Sequence, residues 1–223
     1  HPLVYAEYMA DKKAPTVLYY GHYDVQPPEP LDLWKSKPFK AEVRGGYIWG
    51  RGTADDKGQV FAQIKGLEAV LKTTGTLPVN VKFLIEGEEE AASENLPVFI
   101  KSHKKLLKAD IAVVSDTAQF SKTLPAVTFG LRGIAFVEVF VDGPNRDVHS
   151  GSYGGAIANP INELCKIVGQ LHDQNNKIAV PGFYKDVKPL TKWERQQFKR
   201  LPFSEAAYKK GLKIREVQGE KGY

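Results

Sequence analysis

Four short segments concentrate the side chains able to bind a cation or move a proton: Gly21-His22-Tyr23-Asp24-Val25-Gln26-Pro27, Gly50-Arg51-Gly52-Thr53-Ala54-Asp55-Asp56-Lys57-Gly58, Glu86-Gly87-Glu88-Glu89-Glu90-Ala91 and Ser115-Asp116. In the first, a period of two puts His22 and Asp24 on one side of a strand end. One imidazole nitrogen can then ligate a metal while the carboxylate takes the other ring N–H and sets the tautomer; a histidine in a polar turn before Pro27 is the plainer alternative. In the second, glycines permit tight turns and two adjacent acids precede an amphipathic helix, where an aspartate also serves simply as a cap. The phosphate-loop order is absent, and neighbouring carboxylates repel a phosphate. In the third, carboxylates at 86, 88, 89 and 90 repel one another unless cations or solvent intervene. An exposed acidic turn would do the same, but the apolar strand before it delivers these acids to a sheet edge. Asp116 alone says little, since acids often follow strands. Taken together, one histidine and several carboxylates at successive strand ends supply ligands for two divalent ions sharing a carboxylate, with a free acid left as base.

The elements that must carry these segments are legible in the hydrophobic pattern. Thr16–Tyr20, Val79–Ile85 and Ala109–Val114 are short apolar runs of the kind found in buried strands. Val60, Phe61, Ile64, Leu67, Val70 and Leu71 recur at helical spacing over residues 58–73, and 95–107 reads as a second helix with Lys101, Lys104, Lys105 and Lys108 on its wet side. Alternating strands and helices imply an α/β fold with a mainly parallel sheet flanked by helices, whose sites form beyond the carboxyl ends of the strands. After Gly130 the pattern changes. Gly133–Gly143 alternates in part as a half-exposed strand does, a helix is expected over 157–172 around Pro160, and the remaining tail is expected to be partly helical. The boundary between two domains is placed near residue 130.

Composition narrows the classes. Apolar residues make up 42% and charged residues 26% of 223, which excludes wholesale disorder. No apolar run reaches the length of about 20 residues that a membrane helix needs, so no membrane partner is expected. The single cysteine, Cys165, excludes an internal disulfide framework and a cysteine-built metal cage. It also suits a reducing compartment, so a cytoplasmic location is the default. Residues 188–223 hold ten Lys/Arg against four Glu, a net +6, and leave 21 basic and 22 acidic residues elsewhere. The net charge of +5 is therefore local, and no nucleic-acid partner is expected from it. The chain opens on His1-Pro2-Leu3 without a signal-like segment and closes on Gly219–Tyr223, and reads as an internal piece of a longer protein.

In order, GHYDVQP, GRGTADDKG, EGEEEAASENL and VVSD resemble the co-catalytic zinc metallopeptidase family that includes carnosinase-type dipeptidases, glutamate carboxypeptidases, aminoacylases and succinyl-diaminopimelate desuccinylase. Trp34, Pro38-Phe39 and Val148-His149-Ser150-Gly151 extend the likeness, which covers essentially the whole chain and is nearest to the dipeptidase branch. The resemblance implies that His22 and Asp116 bind one metal, Glu90 the other and Asp55 both. It implies that Asp24 orients His22, that Glu89 is the general base, and that a cis peptide bond follows Asp55. Residues 1–130 would be an incomplete metal-binding catalytic domain of zinc-peptidase type. Residues 131–223 would be the start of a smaller α+β lid and dimerisation domain, from which His149 would reach the partner subunit of a homodimer and stabilise the oxyanion.

On this resemblance the chain is a metal-dependent hydrolase of dipeptides or short peptides. Its cofactors would be two divalent ions, with zinc first and manganese or cobalt compatible with the same mixed ligation. Acyl amino acids are the alternative substrate, in a deacylase or desuccinylase, and a non-catalytic binding module of the same fold is the alternative from another class. The family's last histidine ligand and its carboxylate-binding arginine have no counterpart here. His103 and His172 sit on amphipathic helices and read as surface residues.

Overall fold

A computed structural model of the chain describes residues 2–219. His1 and residues 220–223, the end of the expected lid segment, lie outside the described residues. The chain divides into two compact units, His1–Arg132 and Gly133–Tyr223.

The first unit contains β1 (Val4–Tyr8), β2 (Thr16–His22), β3 (Glu42–Arg44), β4 (Tyr47–Trp49), α1 (Lys57–Thr74), β5 (Asn80–Glu86), α2 (Leu96–Ser102) and β6 (Ile111–Val114). β1, β5, β2 and β6 form one sheet in that order, while β3 and β4 make a separate hairpin. β5, β2 and β6 are parallel, and β1 is antiparallel to β5. The mainly parallel α/β sheet expected from the sequence is present, with an antiparallel edge added. Because three strands run the same way, their carboxyl ends lie along one edge, and the register His22↔Glu86 and Tyr20↔Val114 sets those ends level.

β5 is the most buried strand. Val81 and Leu84 are core residues together with Leu77 and Leu107, and Phe83 stacks on Tyr19 of β2 at 5.1 Å between ring centroids. The start of β5 is tied to the turn before β2 by Asn80, whose amide donates to the Asp11 and Ala14 carbonyls at 2.7 and 2.9 Å. α1 has the apolar spacing read from the sequence and ends at Gly75, whose φ of 77° closes the last turn as only glycine does readily. It lies so close to β2 that a Cβ at Gly21 would meet Asp56 Oδ2 at 2.6 Å.

α2 is shorter than expected. It stops at Ser102, and the lysines that were to line its continuation are like charges at i, i+3 and i+4 spacing, which oppose a helix. The buried Lys82 ammonium instead takes the Leu106 and Lys108 carbonyls at 2.6 and 2.8 Å, turning that backbone toward the sheet.

The second unit contains α3 (Ser150–Tyr153), α4 (Pro160–Gly169), α5 (Lys192–Arg200) and α6 (Glu205–Leu212). α4 begins later than the sequence suggests because Asn159 caps it, accepting from Ile161 N, and Pro160 occupies the first helical position. Thr191 and Glu194 form a reciprocal capping box on α5, and Ser204 caps α6. Residues 133–143 form no strand. Their alternation is real, but no described strand pairs with them, and Ile134, Phe136 and Val137 are exposed. Among the described residues no helix is long and apolar enough to cross a membrane.

Candidate metal centre

The centre is built at the shared edge of the first unit's sheet. β2 delivers His22 at its last position, and the side chain is fully buried. The turn after β5 delivers Glu89 and Glu90, the turn after β6 delivers Asp116, and Asp55 stands just before α1. Around His22 Nε2 lie Asp55 Oδ1 at 3.1 Å, Asp116 Oδ2 at 3.7 Å and Glu89 Oε2 at 3.9 Å. His22, Asp55 and Asp116 each offer a ligand atom, all within 4.8 Å of one another. One imidazole nitrogen and two carboxylates are a donor set suited to zinc and to other borderline divalent cations. The crowding of acids around one buried ring is the condition that a cation relieves.

The other face of the ring fixes its protonation. Nδ1 lies 3.2 Å from both the Asp24 carbonyl and Asp24 Oδ1, and both are acceptors. Nδ1 therefore donates to Asp24, and Nε2, 3.1 Å from Asp55 Oδ1, also faces an acceptor, so a cation bound there would replace the Nε2 hydrogen. The second Asp24 oxygen accepts from the Glu90 backbone N–H at 2.9 Å. One carboxylate thus ties the end of β2 to the glutamate-rich turn.

Electrostatics follow from this packing. Burial works against a charged His22, yet Glu89, Asp55, Asp116 and Asp24 outweigh it and hold the ring above the ordinary histidine range. Burial raises the Glu89 carboxyl, with Asp116, Glu90 and Asp55 adding to the rise and His22 opposing it. Asp116 is raised by burial and then by Asp55 and Glu90. Asp56, next to the cluster, is 1% exposed; burial raises it, while the His22 N–H donated to its Oδ2 at 3.2 Å pulls the other way.

The residues singled out in the sequence are thus placed unevenly. His22, Asp24, Asp55, Glu89 and Asp116 are brought together. Glu90 is close by, but its carboxylate accepts from Gln26 Nε2 at 2.6 Å and is outside the three-ligand group. The peptide bond between Asp55 and Asp56 is cis. His149 belongs to the second unit, where it caps α3 and its Nδ1 accepts from Gly151 N at 3.0 Å. His103 and His172 are exposed.

Several uncharged or unremarkable side chains support the centre. Gln26 stands inside the first motif but has no charge to draw notice. Lys57 donates to the Tyr23 carbonyl at 2.5 Å and braces the strand end after β2. Gln59 and Gln63, one turn apart on α1, reach the Thr117 carbonyl and the Ser115 hydroxyl and so hold the turn that carries Asp116. Their signal was a pair of polar residues at i and i+4 near the start of an amphipathic helix.

The chain is similar to known peptidases. The family model for peptidase family M20/M25/M40 matches residues 18–208. The Cys-Gly metallodipeptidase DUG1 of Candida albicans is 38% identical over 91% of this chain and 43% of its own length. The Beta-Ala-His dipeptidase of Rattus norvegicus is 36% identical over 96% of this chain and 44% of its own. Among solved structures, the M20 family metallo-carboxypeptidase Sso-CP2 from Sulfolobus solfataricus superposes with a TM-score of 0.84 at 36% identity, covering 99% of this chain and 50% of that one. Human carnosine dipeptidase 1 superposes with a TM-score of 0.72 at 34% identity over 99% and 47%. The chain spans less than half the length of the two sequence relatives.

Proposed function

The chain belongs to peptidase family M20/M25/M40, with which divalent-metal use goes, and we propose that the whole protein is a dinuclear metallohydrolase that cleaves the amide bond of dipeptides. The observation that carries this reading is the buried His22 ring, hydrogen-bonded to Asp24 on one side and facing Asp55, Asp116 and Glu89 on the other. In this reading His22, Asp55, Glu90 and Asp116 would hold the ions, with zinc the first candidate. Bound divalent ions supply Lewis acidity, which lowers the pKa of water and polarises the scissile carbonyl.

The chain's own residues do the rest. Asp24 keeps a hydrogen on Nδ1 and so holds His22 in the ligating tautomer. Glu89, whose carboxyl is raised by burial and by its acidic neighbours, takes a proton from the attacking water and passes it to the leaving amine. His149 is assigned to the oxyanion, contributed from a partner copy in a homodimer built through the second unit.

The test is hydrolysis by the whole protein supplied with Zn²⁺ or Mn²⁺, offered Cys-Gly, β-Ala-His and N-acyl amino acids. Dipeptide cleavage is expected, and Glu89→Gln is expected to keep its metal while turnover falls by about 10²–10⁴-fold. Cleavage of acyl amino acids alone would reassign the substrate. Retained turnover in Glu89→Gln would remove that residue as the base.

A further inference from the structure

Glu86 is the last residue of β5 and is 1% exposed, yet it is not one of the ligand-capable group. Burying a carboxylate is unfavourable unless donors meet it, and here two do. The Tyr20 hydroxyl of β2 donates to Glu86 Oε1 in a short hydrogen bond, and the Ser93 hydroxyl donates to the same oxygen at 3.0 Å. The Glu86 carbonyl also accepts from Tyr23 N at 2.9 Å. Glu86 and Ser93 stand on either side of the segment 87–92, so the bond between them closes that segment into a loop.

The loop is tight throughout. Ser93 N donates to the Glu88 carbonyl at 2.8 Å and Ala91 N to the same oxygen at 3.0 Å. Ala92 and Ser93 both take positive φ, 72° and 51°, to reverse the chain. A Cβ at Gly87 would run into the Tyr23 ring, so the loop backbone has no room to drift on that side.

Glu89 rides on this loop with no side-chain anchor. Among the described residues its carboxylate accepts no hydrogen bond, and its ion-pair partner, His22 Nε2, is 3.9 Å away. Its aim is therefore set by the backbone beneath it. We infer that Glu86, through Ser93 and Tyr20, is a positioning residue that closes the 87–92 loop and so aims Glu89 at the reacting water. The inference rests on the reading of Glu89 as the base. Charge-assisted hydrogen bonds to one buried oxygen are suited to this task because they are short and directional.

The experiment uses the whole protein and two mild variants, Ser93→Ala and Tyr20→Phe, each removing one donor and leaving the buried acid in place. Two readouts are taken: kcat, KM and bound metal with Zn²⁺ and a dipeptide, and amide hydrogen exchange at residues 89–91. The expected result is exchange faster by about tenfold in both variants, with kcat lower by about tenfold or more and with KM and metal content unchanged. Unchanged exchange would overturn the inference, as would faster exchange with wild-type kcat, since the closure would then be structural only. Absence of turnover in the wild type would instead defeat the hydrolase reading, and the exchange data would still decide whether Glu86 closes the loop.

Discussion

At the scale of single residues, the Asp24 carboxylate joins two segments of the centre. One of its oxygens takes the His22 Nδ1 hydrogen and the other the Glu90 N–H, so a single substitution should disturb both ends of the cluster. Asp24→Asn cannot accept at both positions, and metal affinity is expected to fall by about 10–100-fold, measured by competition with a chromophoric chelator. An unchanged affinity would mean that the ring is held by backbone alone. The sequence made His22 and the acids visible because charged groups at strand ends are costly without a purpose. It did not make Gln26, Gln59, Gln63 or Ser93 visible, because neutral polar side chains are common on helices and turns. Their partners are backbone carbonyls, hydroxyls and carboxylates brought near only by folding.

At the scale of elements, the contact of α1 with β2 does most to define the centre, since it sets Asp55 and Asp56 against His22. Gly21 is where the two elements come closest, and Gly21→Ala would push its Cβ against Val60 and Asp56. We expect a loss of about 1–3 kcal/mol in unfolding free energy, read by thermal denaturation, together with weaker metal binding. α1 also carries an exposed triad in which Glu68 accepts from Lys65 and Lys72 at 2.5 Å each, and these lysines hold its carboxyl down at about 2. A depressed folded pKa stabilises above the ordinary carboxylate range and is lost as pH falls toward 2. Glu68→Gln should therefore be less stable than wild type at neutral pH, and the gap should close as pH falls through about 2; equal stability at neutral pH would show the pairs to be solvent-screened. α1 was legible from its helical apolar spacing, and β2, β5 and β6 from short apolar runs, each leading into one of the acid-bearing segments. β1 was not, since Val4-Tyr-Ala-Glu-Tyr8 is mostly exposed and is defined by pairing with β5. The segment 133–143 shows the converse, in that alternation without a described partner is not a strand.

At the scale of the whole molecule, the three-ligand group sits entirely in the first unit, and His149 belongs to the second. The family to which the chain belongs is settled by the match over residues 18–208 and by 36–38% identity to dipeptidases of more than twice its span. Dinuclear hydrolysis by the whole protein requires two bound ions, so the metal count is the decisive measurement. Two divalent ions per chain are expected in the whole protein after equilibration with Zn²⁺ and removal of excess, with both lost in His22→Ala combined with Asp55→Ala. No bound ion, or a count unaffected by those substitutions, would contradict it.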